Sequence, residues 1–168
     1  MDTAAGATTG WRIALRPITH PDAATLVEEV QGEYVLRYGG RDETPLDPTY
    51  FDPPSGAFFV GYLDGRPVAT GAWRLRRDVV VDGRDRAAEI KRMYVASGAR
   101  RRGLARAMLA HLETTAREAG AEVMILETGL AQPEAIALYE SSGYTAIPGF
   151  GFYKDAPLAR CFARLLVE

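Results

Sequence analysis

The chain has 168 residues, of which 47% are hydrophobic and 25% are charged, and its formal net charge is -2. This length suffices for one domain with a full hydrophobic core. The slightly acidic balance argues against general nucleic-acid binding, and no apolar run approaches the roughly 20 residues that cross a bilayer.

Cysteine and histidine are scarce. Cys161 is the only cysteine, which excludes an intrachain disulfide and a cysteine metal cage. His20 and His111 lie far apart, so no metal site is expected. The N-terminus MDTAAGATTG lacks the basic start and apolar stretch of a signal peptide. We therefore expect a cytoplasmic protein with neither a membrane nor a nucleic-acid partner.

The first elements in the chain are a tail, a strand and a helix. Residues 1–10 are small and polar and are expected to form a flexible tail. WRIALR (11–16) alternates apolar and polar side chains, as a half-buried strand does. Thr19 is the predicted N-cap of a helix that has Pro21 in its first turn. Gly32 is expected to weaken the far end of this helix.

A proline-rich segment and two hairpins are predicted next. Residues 39–56 read as a long irregular loop, and loops of such length are often functional. AFFVGYL and PVATGAWRL flank Asp64-Gly65, whose residues supply the positive φ angles of a tight turn. A second hairpin is expected to turn near Asp82-Gly83, followed by a strand over 87–95.

The C-terminal half alternates strands and helices. Leu104, Met108 and Leu112 have helical spacing, and Gly120 is a plausible helix end. EVMILET (122–128) is a nearly continuous apolar strand, as in a sheet covered on both faces. The remaining elements are a helix from Pro133 to Gly143 and the strands YTAI and LARCFARLLV.

This order of elements predicts an α/β fold in a single domain over 11–168. Antiparallel strands come first, and strand–helix–strand–helix–strand follows. The expected architecture is one mixed, mostly antiparallel sheet of six or seven strands with helices on both faces.

The segment ARRRGLARAML (99–109) predicts an anion site at a helix start. The unpaired N–H groups of a first helical turn point outward and carry partial positive charge. Gly103 and Ala105 are small enough for an anion to approach, and four arginines surround them: Arg100, Arg101, Arg102 and Arg106. No Walker loop or dinucleotide fingerprint is present. Taken alone, the basic run is equally consistent with a solvated helix face.

The context of this run is more specific. AEIKRMYVASGARRRGLARAML (88–109) resembles the cofactor-binding signature of the GNAT superfamily of N-acetyltransferases. QPEAIALYESSGY (132–144) resembles a second segment of the same family, and the resemblance covers about residues 57–147. It implies the GNAT fold and acetyl-CoA as co-substrate.

The resemblance also implies roles for residues around the cofactor. The backbone of Met93, Tyr94 and Val95 would pair with the pantetheine arm, and an N–H there would polarise the thioester carbonyl. The pyrophosphate would bind a loop made of Arg100, Arg101, Arg102, Gly103, Leu104 and Ala105, beside Arg106. Gln132 stands where the family commonly has Asn; it keeps the amide chemistry on a longer stem.

Three catalytic candidates follow from the same resemblance. Tyr139 matches a tyrosine that protonates the departing thiolate; its alternative role is a core aromatic. Glu89 matches the general base of histone-type members, and Glu127 matches the base of members that acetylate protein N-termini. Each glutamate has the alternative of an exposed charge at a strand end, and the sequence does not decide between the two.

The acceptor is expected to be a primary amine of a small molecule. The candidate lining residues are Arg37, Tyr38, Asp47, Phe150 and Tyr153, which lie outside the matched core in the first helix, the loop after it and the segment before the final strand. Their alternative role is ordinary loop packing. The alternatives are acetylation of protein N-termini or lysines, and a non-catalytic acyl-CoA sensor. A homodimer is expected from the habit of the family.

Overall fold

The computed structural model describes residues 10–44 and 47–167, so nearly all of the predicted tail lies outside the described residues. One seven-stranded sheet has the order β1-β2-β3-β4-β5-β7-β6. Its strands are β1 (Trp11–Leu15), β2 (Gly56–Leu63), β3 (Arg66–Arg76), β4 (Ala87–Val95), β5 (Val123–Gly129), β6 (Thr145–Ile147) and β7 (Ala159–Leu165). The helices are α1 (Pro21–Tyr38), α2 (Leu104–Glu118) and α3 (Pro133–Ser141).

Only the pairing of β4 with β5 is parallel; each other pair of neighbouring strands is antiparallel. The predicted mixed, mostly antiparallel sheet is therefore confirmed. Among the described residues, no helix has both the length and the apolar composition needed to span a membrane.

The first predicted hairpin and the predicted strand over 87–95 are confirmed, whereas the second hairpin is reduced to one bridge around its turn. Asp64 (φ 51°) and Gly65 (φ 80°) turn the chain between β2 and β3. β3 and β4 do pair, but between them only an isolated bridge joins Val81 to Arg84. The Asp82-Gly83 turn thus closes a local loop and does not extend the two long strands.

The ends of α1 differ from their prediction. The N-cap is His20 and not Thr19, because the Nδ1 atom of His20 accepts a hydrogen bond from the Asp22 N–H at 3.1 Å. The helix continues through Gly32 to Tyr38 and ends at Gly39, whose φ of 78° gives a left-handed cap. Packing of its apolar side chains against the sheet outweighs the weak helix propensity of one glycine.

Hydrophobic clusters cover both faces of the sheet. On one face Met108, Leu109 and Leu112 of α2 pack with Trp73 and Ile90 of the sheet. On the other face the α1 side chains Ala23 and Leu26 pack with strand residues Phe58, Val60 and Ala72. The expected helices on both faces are confirmed, and residues that alternate along β4 and β5 point to opposite layers.

Two irregularities of β4 determine where an opening forms in the sheet. β4 pairs with β5 only from Ala87↔Val123 to Glu89↔Ile125, and beyond that point the two strands separate. Farther along β4, Arg92 has a φ of 55° where the register with β3 shifts. The Thr70 hydroxyl donates to the Arg92 carbonyl at 2.6 Å and holds this bulge.

Candidate functional site

The opening between β4 and β5 leads into a cavity of about 380 Å³ on the α1 side of the sheet. Its walls come from the end of α1, residues 39–44, the two separated strands, the start of α3 and residues 153–159. The polar and aromatic side chains that line it include Tyr34, Tyr38, Asp42, Lys91, Glu127 and Tyr153. A concave site at a point where strands separate is a common place for a ligand.

Two loops meet over this cavity. The Glu43 N–H, on the loop after α1, donates to the Tyr153 hydroxyl at 2.7 Å. Gln132, at the start of α3, donates to the Tyr38 hydroxyl at 3.2 Å. The Tyr38 hydroxyl also lies where a Cβ on Gly129 would be, so a side chain at that position of β5 would displace the Tyr38 ring from this wall. The cavity is therefore partly closed against bulk solvent.

Glu127 presents a carboxylate to the cavity. It accepts from the Tyr153 N–H at 3.4 Å, and the Cys161 thiol lies 3.9 Å from its other oxygen. Within the described part of the chain, Glu127 forms no ion pair. Burial raises the pKa of its carboxyl, and the Tyr153 N–H opposes that shift. A carboxylate with a raised pKa in a cavity has the properties of a general base.

Glu89 lies in a different environment. Its carboxylate is 2% exposed and contacts three cations: Arg74 at 3.1 Å, Arg76 at 2.9 Å and Lys91 at 3.7 Å. It does not line the cavity. A buried carboxylate that two guanidinium groups bind this closely has the geometry of a structural anchor.

Glu89→Gln is expected to destabilise the protein by about 3 kcal/mol, because it leaves the mostly buried Arg74 without its counter-charge, whereas Arg76 keeps its ion pair with Asp78. Unfolding in denaturant measures this loss. Glu28→Gln is the matched control, since Glu28 pairs with Arg41 on an exposed surface and should unfold like wild type. Equal stability of the two variants would contradict the anchoring role of Glu89.

Tyr139 lies in α3 and is 6% exposed. Its ring packs edge-on against Tyr144, with 5.7 Å between the ring centres. No described residue hydrogen-bonds with its hydroxyl. Among the described residues, the Nε atom of Arg92 is the only fully buried side-chain polar atom that has no hydrogen-bond partner. The Tyr139 hydroxyl has no partner either, so its oxygen is not fully buried and keeps some access to solvent. Burial raises the pKa of this phenol well above its usual value.

The start of α2 has the geometry predicted for an anion site. Gly103 is the N-cap with a φ of 75°, and a Cβ built on it would meet nothing within 4 Å. The first helical bond runs from the Ala107 N–H to the Gly103 carbonyl at 3.0 Å. The N–H groups of Leu104, Ala105 and Arg106 therefore precede the first helical bond and are free of partners within the helix.

The four arginines of this segment divide into two pairs. Arg100 bonds with Glu33 at 2.7 Å and with the Val95 carbonyl at 2.9 Å, and Arg106 bonds with Ser141 and Ser142. Arg101 and Arg102 are exposed, and nothing in the described residues pairs with their side chains. Direct attraction of an anion thus falls mainly to Arg101, Arg102 and the helix N–H groups.

These features fit the cofactor that the resemblance implies. β4 has no strand partner on its β5 side from Ile90 onward, so the backbone of Met93 and Tyr94 lies along an open edge. The Val95 carbonyl is already bonded to Arg100, which leaves less of the predicted pairing available at that residue. The open edge leads towards the N-terminus of α2, where a pyrophosphate would bind.

The predicted lining residues are partly correct. Tyr38 and Tyr153 line the cavity. Arg37 does not, because it bonds with the Ala131 carbonyl at 2.9 Å and with Glu134 at 2.6 Å. Asp47 caps the short helix that begins at Pro48, and Phe150 packs in a separate cluster beside β5 and β7.

The lining residues that were not predicted from the sequence include Tyr34, Asp42 and Lys91. Lys91 could have been found, since it lies two residues after Glu89 and therefore on the same face of β4. Tyr34 lies four residues before Tyr38 and so shares its helix face. Nothing in the sequence singles out Asp42 within its loop.

Among the described residues no His, Cys, Asp and Glu side chains form a group that could hold a metal ion.

Known proteins resemble this chain in both sequence and fold. The acetyltransferase (GNAT) family matches residues 24–144. An IAA acetyltransferase from Azospirillum brasilense is 32% identical over 134 residues, which are 80% of this chain and 84% of the relative. A Klebsiella pneumoniae protein assigned to the acyl-CoA N-acyltransferases has a TM-score of 0.74 at 26% identity, covering 93% of this chain and 97% of that one. YncA of Salmonella typhimurium, solved with its cofactor acetyl-CoA, has the same fold, with a TM-score of 0.67 at 20% identity over 95% and 96% of the two chains.

Proposed function

The chain belongs to the GNAT family of acetyltransferases and is an acetyl-CoA-dependent enzyme, and on that premise we propose that it acetylates the primary amine of a small molecule. The amine attacks directly while both substrates are bound. A cytoplasmic location, expected from the sequence, and a homodimer, expected from the habit of the family, stay predictions.

The partly closed cavity is the observation that supports a small acceptor. Its volume of about 380 Å³ suits a small molecule, and the Glu43–Tyr153 hydrogen bond joins the two loops above it. A protein N-terminus or a lysine in a folded substrate would need an open groove at this position. Residues 39–44 and 153–159 occupy the space that such a groove would take.

The mechanism begins with binding of the two substrates. Acetyl-CoA supplies the acetyl group as a thioester. The N–H groups at the start of α2, with Arg101 and Arg102, would hold its pyrophosphate, and the open edge of β4 would hold its pantetheine arm. A backbone N–H near the Arg92 bulge is suited to polarise the thioester carbonyl.

Two side chains take part in proton transfer. An alkylamine is mostly protonated near neutral pH, so Glu127 takes a proton from the ammonium, directly or through water. A nitrogen–carbon bond then forms while the carbon–sulfur bond breaks, and the nitrogen loses a second proton as the departing thiolate gains one. Tyr139 donates a proton or a hydrogen bond to the thiolate that leaves.

A thiol-release assay with acetyl-CoA tests this function. We expect a set of small primary amines to contain acceptors whose kcat/KM exceeds that of any N-terminal or lysine-containing peptide by about tenfold or more, which corresponds to about 1.4 kcal/mol in the transition state. Peptides that outperform every small amine would overturn the proposal. So would acetyl-CoA binding by calorimetry with no acceptor at all, which would indicate a sensor.

A further inference from the structure

The charges that line the cavity are not all paired. Arg41 is bound to Glu28 at 2.6 Å, and Asp42 is bound to Thr44 and lies 3.4 Å from Arg92. These groups have partners inside the protein. Glu127 accepts only from the Tyr153 N–H and the Cys161 thiol among the described residues, so its charge has no cationic partner there.

Lys91 carries the complementary charge. Its only ion pair in the described structure is a long one, 3.7 Å from Glu89. Arg74 and Arg76 already bind Glu89 at 3.1 and 2.9 Å, so Lys91 adds little to the neutralisation of that carboxylate. The Lys91 side chain is 16% exposed and lines the cavity.

Lys91 and Glu127 line the same cavity. The positive charge of Lys91 lowers the pKa of Glu127, although burial still raises it overall. No ion pair forms between the two in the described structure. One cavity therefore presents an ammonium and a carboxylate that interact electrostatically but form no ion pair, an arrangement complementary to a molecule with both charges on one carbon.

We propose that the acceptor is an α-amino acid: Lys91 binds its carboxylate and Glu127 receives the proton of its α-ammonium group. This inference rests on the proposed function and extends it. The aromatic rings of Tyr34, Tyr38 and Tyr153 are then left to contact the side chain of the amino acid.

Matched acceptor sets test the proposal without any mutation. Each set contains an amino acid, its amide, and the amine that remains when the carboxylate is removed. One set is phenylalanine, phenylalaninamide and 2-phenylethylamine. The corresponding sets for leucine and methionine are measured as well. We expect kcat/KM for the free acid to exceed that of the amide and the amine by about tenfold or more in the preferred set, as one charged hydrogen bond would give. A preferred set in which the amide or the amine matches the acid would overturn the proposal.

Lys91→Met identifies the residue responsible. It should raise KM for the amino acid by about tenfold, with a smaller change in kcat, and abolish the preference for the acid over the amide. Lys91→Arg should retain part of that preference because the charge is kept. Lys154, the other lysine of the chain, is exposed and outside the cavity lining, so Lys154→Met should leave the preference unchanged. Equal losses for acid and amide in Lys91→Met would contradict the assignment.

The two proposals fail in different ways. If small amines other than amino acids release thiol and no amino acid does, the amino-acid proposal is wrong and the proposed function stands. If no small amine is acetylated while peptides are, both are wrong. Thermal unfolding and the acetyl-CoA affinity of each Lys91 variant show that the fold and the cofactor site are intact.

Discussion

Glu127→Gln is expected to lower kcat by about a hundredfold or more, with the affinity for acetyl-CoA unchanged, because removing a general base costs about 10²–10⁴-fold. Glutamine has nearly the shape of glutamate but cannot take a proton at neutral pH. The carboxylate lies in the cavity between Tyr153 and Cys161 and forms no ion pair with any described residue, so the loss should appear in the rate and only slightly in stability. Steady-state kinetics and calorimetry with acetyl-CoA measure the two quantities.

The pH dependence of kcat gives a second readout of the same residue. A base works only when ionised, so kcat should rise with pH as Glu127 loses its proton. Because burial raises the pKa of this carboxyl, the midpoint of the rise should lie above the ordinary value of 4.5. Glu127→Gln should lose this acidic limb, whereas Glu89→Gln should keep it. An acidic limb that persists in Glu127→Gln and disappears in Glu89→Gln would assign the base to Glu89.

Most of the fold could be predicted from the sequence because its signals are local. Asp64-Gly65 fixes a turn through its own backbone preferences, and the spacing of Leu104, Met108 and Leu112 defines one helix face. The errors also have local causes. His20 replaces Thr19 as the N-cap because its ring nitrogen reaches the Asp22 N–H, a geometry that residue preferences do not favour.

Local sequence signals could not decide which of Glu89 and Glu127 is the general base. Glu89 faces Arg74 only because β3 and β4 pair in one register, and that register includes a bulge at Arg92. Its burial among cations is thus a long-range result of strand pairing. The environment of Glu127 depends on the loop that brings Tyr153 to it, across 26 residues of sequence. Such contacts have no signature in the residues near either glutamate.

Tyr139→Phe is expected to lower kcat by about a hundredfold, in the range for loss of a general acid, with the affinity for acetyl-CoA retained. An ordinary phenol has a pKa of about 10 and an ordinary thiol about 8.5. Burial raises the pKa of Tyr139, so complete transfer of its proton to a free thiolate is unfavourable. The phenol is better suited to donate a short hydrogen bond as the carbon–sulfur bond breaks, and its hydroxyl has no described partner that competes for that proton.

Tyr144→Phe is the matched control, because the two rings pack edge-on 5.7 Å apart. The Tyr144 hydroxyl donates to buried Glu113 at 2.8 Å, so its loss should lower the free energy of unfolding by about 1–3 kcal/mol. Neither of the two rings lines the cavity, but Glu113 holds the Tyr144 hydroxyl and no described residue holds that of Tyr139, so kcat of Tyr144→Phe should be little changed. Burst kinetics separate thiol release from later steps. If Tyr139→Phe turns over like wild type, its ring is only part of the core, and the thiolate must obtain its proton from water.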